Sequence, residues 1–144
     1  MSDKKEVDDR FKKFGTVSFT SLTKTNDFIT NLEEDKVTGT KCRVCGMLFF
    51  PPRSDCYSCL SSDMEWFTVS GTGKLVTYSK LQYAPVGFEG DVPYSIALLD
   101  YGAFKVFGRL AGDVPEEEVM VGMEMKAESN RLPNGQINYV FHKA

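Results

Sequence analysis

The spacing of apolar residues changes period along the chain, and the change divides it. Near the start, Val7, Phe11 and Phe14 recur at i, i+4 and i+7, which places them on one helical face. Acidic residues lead this segment, lysines come after, and Gly15 stands where a C-terminal cap belongs, so a helix is predicted up to Phe14. Its stripe is narrow and must dock on something, so the segment either packs on its own chain or frays, or else it binds a partner. A second helix is expected from about Asn26 to Lys36, with Phe28, Ile29 and Leu32 inward and Thr25 or Asn26 as N-cap. After Cys59 the period falls to two. Trp66–Val69 opens this region, and Gly71 and Gly73 permit a bulge or bend. From Lys74 to Tyr83, Leu75, Thr77, Ser79, Leu81 and Tyr83 face one way, and Lys74, Val76, Tyr78, Lys80 and Gln82 the other.

Further strands are expected at Tyr94–Asp100 and Phe104–Leu110, joined by a tight turn at Tyr101–Ala103. Phe104, Val106 and Leu110 should point inward, and Lys105, Phe107 and Arg109 outward. Gly112 to Val119 is a connection with one helical turn at Pro115–Glu118. Met123, Met125 and Ala127 mark a fourth strand and Ile137, Tyr139 and Phe141 a fifth, across an Asn134-Gly135 hairpin turn. A long bent strand, a meander, a non-strand link and two closing strands are the order of an OB-fold, a five-stranded Greek-key barrel. The expected fold is therefore mostly β. N-terminal helices over residues 1–37 lead to a rubredoxin-like zinc ribbon over 38–66 and an OB-fold domain over 67–144.

The ribbon rests on the four cysteines. Cys42-x-x-Cys45 and Cys56-x-x-Cys59 are two knuckles separated by ten residues, and each turn can aim two thiolates at one point. Four sulfur ligands favour Zn(II), with iron bound in the rubredoxin manner as the alternative. With every position filled by Cys, no coordination site is left for water or substrate, so the metal is read as structural. Disulfides would need an oxidising compartment. Between the knuckles, Phe49 and Phe50 can form a small core. Pro51 and Pro52 then hold Arg53 at a fixed place, where it is either a surface arginine bonded to the ribbon backbone or a phosphate contact.

Composition narrows the function. The chain has 144 residues, 42 % hydrophobic, with a net charge of −3, which disfavours nucleic acid as a partner of the whole surface without excluding a local basic patch. Its longest apolar run is only a few residues and its start leads into no signal core, so neither a membrane nor secretion is expected, and reduced cysteines suit the cytoplasm. A single histidine, His142, leaves almost no material for histidine-dependent catalysis, and no nucleophile–base pair or open metal position can be assembled. The chain is not expected to be an enzyme.

Cys42-x-x-Cys45-Gly46, Phe50-Pro51-Pro52-Arg53, Cys56-x-x-Cys59, Ser70-Gly71-Thr72-Gly73 and Pro93-Tyr94 stand in the order found in a known family. Over about residues 40 to 128 the chain resembles the zinc-ribbon plus OB-fold proteins associated with acyl-CoA metabolism, long catalogued as a domain of unknown function. One departure is Tyr57 and Leu60, where that family commonly has proline and glycine. The resemblance implies a non-catalytic accessory subunit beside a thiolase-like or hydroxymethylglutaryl-CoA synthase-like enzyme, holding or channelling the CoA part of an acyl-CoA in lipid metabolism. Candidate ligand residues are then Arg53, the strand sets Lys105, Phe107, Arg109 and Lys74, Tyr78, Lys80, which put an aromatic between cations, and Phe88 at the tip of the loop Ala84 to Val92. The alternative is a single-stranded nucleic-acid-binding protein using the same face as a stacking platform. A scaffold without ligand is a third reading.

Overall fold

The computed structural model describes residues 8–15 and 25–144. One α-helix, α1 (Asp27–Glu33), precedes a three-stranded antiparallel sheet of β1 (Thr38–Cys42), β2 (Leu48–Phe49) and β3 (Met64–Thr68), ordered β2-β1-β3. The chain then builds β4 (Gly73–Leu81), β5 (Tyr94–Asp100), β6 (Lys105–Leu110), β7 (Glu124–Arg131) and β8 (Ile137–Lys143). These five close into a barrel of order β4-β5-β6-β8-β7, with β7 returning to β4. All barrel pairs are antiparallel except β6 with β8. This is the Greek-key OB-fold expected from the strand order, and the Glu116–Glu118 turn lies in the link between β6 and β7 as predicted.

Helix α1 buries Phe28, Ile29 and Leu32, the three residues its pattern selected. It is shorter than expected because Asp35 turns left-handed at φ 62° and the Lys36 N–H bonds back to the Asn31 carbonyl, ending the helix. Asn26 sits at the N-cap position in helical backbone and makes no side-chain cap bond to the helix.

The first predicted helix differs more. Val7 lies outside the described residues, and the described part of the segment forms a single 3-10 turn, Arg10–Lys13. Tertiary contacts outweigh the helical spacing here. The Arg10 guanidinium donates to Asp8, to Asp27 at 2.8 Å and to Thr30 at 2.9 Å, tying the turn to α1. Phe14 then extends to bridge Ile137, and the Gly15 N–H donates to the Ile137 carbonyl at 2.9 Å. The segment docks on its own chain.

One apolar cluster runs from α1 (Phe28, Leu32) into the barrel (Leu75, Leu99, Met125, Phe141), so helix, ribbon end and barrel share a core. A smaller cluster of Cys42, Phe49 and Cys56 lies beside the knuckles, with Met47 and Met64 packed on it. Barrel closure depends on the short parallel register Arg109↔Val140 and Leu110↔Phe141. Next to it, Gly108 leaves room for two rings: a Cβ there would stand 2.8 Å from Tyr139 and 2.9 Å from Phe141.

A Gly108→Ala substitution should therefore lower stability by about 1–3 kcal/mol, since both rings are held in the core and cannot retreat freely. A shift of the denaturant midpoint without a change in slope is the expected result.

Candidate functional site

The two knuckles repeat one hydrogen-bond plan. Cys42 N–H donates to Met47 O and Gly46 N–H to Cys42 O, both at 2.9 Å. In the second knuckle Cys56 N–H donates to Ser61 O at 2.9 Å and Leu60 N–H to Cys56 O at 3.0 Å. Both turns place the residue after the second cysteine in left-handed backbone, Gly46 at φ 80° and Leu60 at φ 62°. Glycine meets that requirement without steric cost; leucine does not. The departure at Leu60 thus leaves the shape of the second turn intact and stores strain in it.

This plan brings all four sulfurs within 4.8 Å of one another, with Cys42–Cys59 and Cys45–Cys56 at 3.5 Å. A tetrahedral ion with metal–sulfur bonds of about 2.3 Å needs sulfur–sulfur edges of about 3.8 Å, so the cluster can hold one metal ion. All four thiols are free of disulfides. The Cys45 N–H, 3.5 Å from Cys42 Sγ, is the chief reason the Cys42 thiol is drawn down to about 7. Cys56 is lowered in the same way by the N–H of Cys59. The knuckle backbones thereby favour thiolate at Cys42 and Cys56, the form that binds metal, while the neighbouring sulfurs and burial push Cys45 and Cys59 up.

Arg53 is fixed, but by its own ribbon. Its N–H donates to the buried Thr40 hydroxyl and the same hydroxyl donates to its carbonyl, each at 2.8 Å. Its guanidinium lies 5.6 Å from the Phe49 ring centre and 5.5 Å from that of Tyr57.

On the barrel, the predicted cation–aromatic sets are partly rearranged. β4 pairs Leu75↔Leu99 and then Thr77↔Leu98, so Val76 is an extra residue at a bulge. The bulge reverses the alternation beyond it. Lys74, opposite Asp100, therefore shares a face with Lys105, whereas Tyr78 and Lys80 take the phase of buried Leu75. Alternation read from the sequence groups Lys74 with Tyr78 and Lys80, and the bulge separates them.

Lys80 makes a 2.6 Å ion pair with Glu116, and both line a cavity of about 400 Å³ with Tyr78, Ser95 and Asn130. Arg109 pairs with Asp91 at 3.0 Å and lies 4.0 Å from the Tyr94 ring centre and 5.4 Å from that of Phe88. These contacts hold the loop Ala84 to Val92 against β5 and β6. A second cleft of about 470 Å³, bordered by Phe14, Phe88, Phe107 and Tyr139, lies on this side. Sequence reading missed Asp91, Tyr94 and Glu116 as the groups that occupy these cations. Tyr94 was legible, since it shares the parity of Ile96, the partner of Arg109.

What remains outward and unpaired is a smaller set. Lys74 and Lys105 lie on either side of Asp100 in register and make no ion pair among the described residues. Phe107, two residues beyond Lys105 on the same face, is 56 % exposed. No described helix is long and apolar enough to cross a membrane.

Two family models match in tandem, the rubredoxin-like zinc ribbon domain of ChsH2 over residues 32–65 and its C-terminal OB-fold domain over 66–129. A DUF35 domain-containing scaffold protein of Methanocaldococcus jannaschii is 37 % identical over 97 residues, 65 % of this chain and 67 % of that one. The benzoylsuccinyl-CoA thiolase subunit BbsA of Thauera aromatica is 33 % identical over 112 residues, 73 % of this chain and 74 % of that one. Among solved structures, the fold resembles that of the Ltp2-ChsH2(DUF35) aldolase, with a TM-score of 0.69, 22 % identity and coverage of 85 % of this chain and 97 % of that one.

The strain at Leu60 is open to direct measurement. Leu60→Gly should stabilise the metal-loaded protein by about 1 kcal/mol, by relieving left-handed backbone at a residue with a Cβ. Thermal unfolding at equal metal content checks this.

Proposed function

The chain belongs to the ChsH2-type family of DUF35 proteins, which join a rubredoxin-like zinc ribbon to an OB-fold, and on that premise we propose that it is a non-catalytic subunit holding CoA thioesters for a thiolase-like enzyme. Curated relatives carry the names of scaffold proteins and of a thiolase subunit, which supports an accessory role. The observation that carries the ligand reading is the outward trio Lys74, Lys105 and Phe107. Two cations flank one strand on either side of Asp100, whose carboxylate also accepts the Gly102 N–H, and an exposed ring lies beside Lys105 on the same wall. An ammonium pair attracts phosphate, and a ring stacks on adenine, the two groups that the head of CoA offers together. Lys80 and Arg109 are already neutralised by Glu116 and Asp91, so they serve the fold of the loops first. That pairing, with the net charge of −3, also weighs against a nucleic-acid platform, which works through an uncompensated basic groove.

Zinc is the metal this reading assigns to Cys42, Cys45, Cys56 and Cys59. Four sulfurs complete its tetrahedron, so it supplies structure to the ribbon and no Lewis-acid position. The division into a helical lead-in, ribbon and barrel domain belongs to the same assignment, with the cytoplasm as the compartment that keeps the thiols reduced.

Two measurements test this. Calorimetric titration of the zinc-loaded chain with free CoA should show binding that weakens about 3- to 10-fold in Phe107→Ala and in Lys105→Ala. No heat with CoA, together with tight, steeply salt-dependent binding of a labelled single-stranded oligonucleotide, would overturn the ligand reading in favour of nucleic acid. Independently, Cys42→Ser should lose stoichiometric zinc and lower the thermal midpoint, since closed zinc sites couple metal to folding. Unchanged zinc content and midpoint would refute the metal assignment.

A further inference from the structure

The two knuckles act as each other's control. Their hydrogen bonds match, and both require left-handed backbone one residue beyond the second cysteine. The first meets the requirement with Gly46, and the second with Leu60. The backbone therefore does not need a side chain at this position; it disfavours one. Nor does the Leu60 side chain add to the packing of the chain, because the residue is 83 % exposed and joins neither apolar cluster. Strain and exposed apolar surface fall on the same residue with no compensating internal contact, which is the pattern of a residue kept for a contact outside the chain. Val44, at 66 % exposure, and Tyr57, at 62 % with its ring 5.4 Å from that of Phe49, are the other large apolar residues that the knuckles expose.

We propose that Leu60, with Tyr57 and Val44, is the docking tip by which the ribbon seats in an apolar groove of its thiolase-like partner. This rests on the accessory-subunit reading and adds to it a surface, on the ribbon and away from the barrel wall assigned to CoA. Charge selects the kind of groove. Between residues 41 and 65 the basic Lys41, Arg43 and Arg53 are balanced by Asp55, Asp63 and Glu65. Four thiolates around a divalent ion then leave the tip negative. Arg43 does not offset this, being engaged with Asp63 at 3.5 Å and Glu65 at 3.4 Å. The fitting partner surface is apolar at its centre with lysines or arginines on its rim.

The test measures binding of purified thiolase-family enzyme from the same genome to the zinc-loaded chain and to three variants, with stability read in parallel. Leu60→Gly should weaken binding roughly 10- to 100-fold while raising the unfolding midpoint, because it removes the anchor and the strain together. Leu60→Ala keeps the strained backbone and should weaken binding to a similar extent. Val86→Ala, which trims a 91 % exposed valine in the barrel loop Ala84 to Val92, should leave binding within about twofold of the parent. The assignment is overturned if both Leu60 variants bind like the parent, or if their effect is instead to abolish self-association, which makes a second copy the occupant. A parent chain that binds no such enzyme overturns the accessory-subunit reading and this assignment together, and the calorimetry with CoA then shows whether ligand binding stands without it.

Discussion

One ring holds the pieces of this protein in a fixed relation. Tyr139 on β8 meets Phe14 of the leading segment at 6.5 Å, Phe28 of α1 at 6.3 Å, Phe50 of the ribbon at 5.4 Å and Phe141 of the barrel at 6.4 Å. Its hydroxyl donates to the Phe107 carbonyl at 2.6 Å, across the join between β6 and β8. Burial pushes its phenol up to about 12, so the donor stays protonated through any ordinary pH. Rings from the leading segment, the helix, the ribbon and the barrel thus converge on one side chain. The placement of the knuckles relative to the barrel wall thereby becomes a property of the fold.

The division of labour depends on that joint. The sulfur cluster gathers a short stretch whose own apolar cluster is small, around four cysteines that can hold one metal ion. The barrel supplies a wall whose outward charges are sparing. On β4 and β6, Lys80 and Arg109 are taken up by Glu116 and Asp91, while Lys74 and Lys105 face out unpaired among the described residues. On the function proposed above, a surface of this kind would suit a small anionic ligand better than a long polyanion. It would also suit the proposed accessory role, where strong, indiscriminate attraction would compete with the proper partner.

Much of this was legible in the residue pattern, for physical reasons that also explain the failures. The strands of the barrel, the buried stripe of α1 and the outward set Lys105, Phe107 and Arg109 come from periodicity, because burial on one face enforces it. The knuckles come from spacing, because sulfur geometry enforces that. The leading segment did not: its helical spacing gave way to the Arg10–Asp27 ion pair and to the packing of Phe14 on Tyr139, contacts made across many residues. The ion-pair partners of Lys80 and Arg109 were hidden for the same cause, since Glu116 and Asp91 sit on loops that carry no period.

The bulge at Val76 shows how such a wall can be re-addressed. A single extra residue places Lys74 outward and turns Tyr78 and Lys80 to the opposite phase. Point substitution can change what a side chain is, but not which side of the sheet it serves. Gain or loss of one residue here would exchange the whole set beyond it in one step, while the start of β4 kept its core contacts. In this barrel, therefore, strand length decides which side chains face outward, and two relatives with the same lysines and tyrosine need not present the same face if one lacks the bulge.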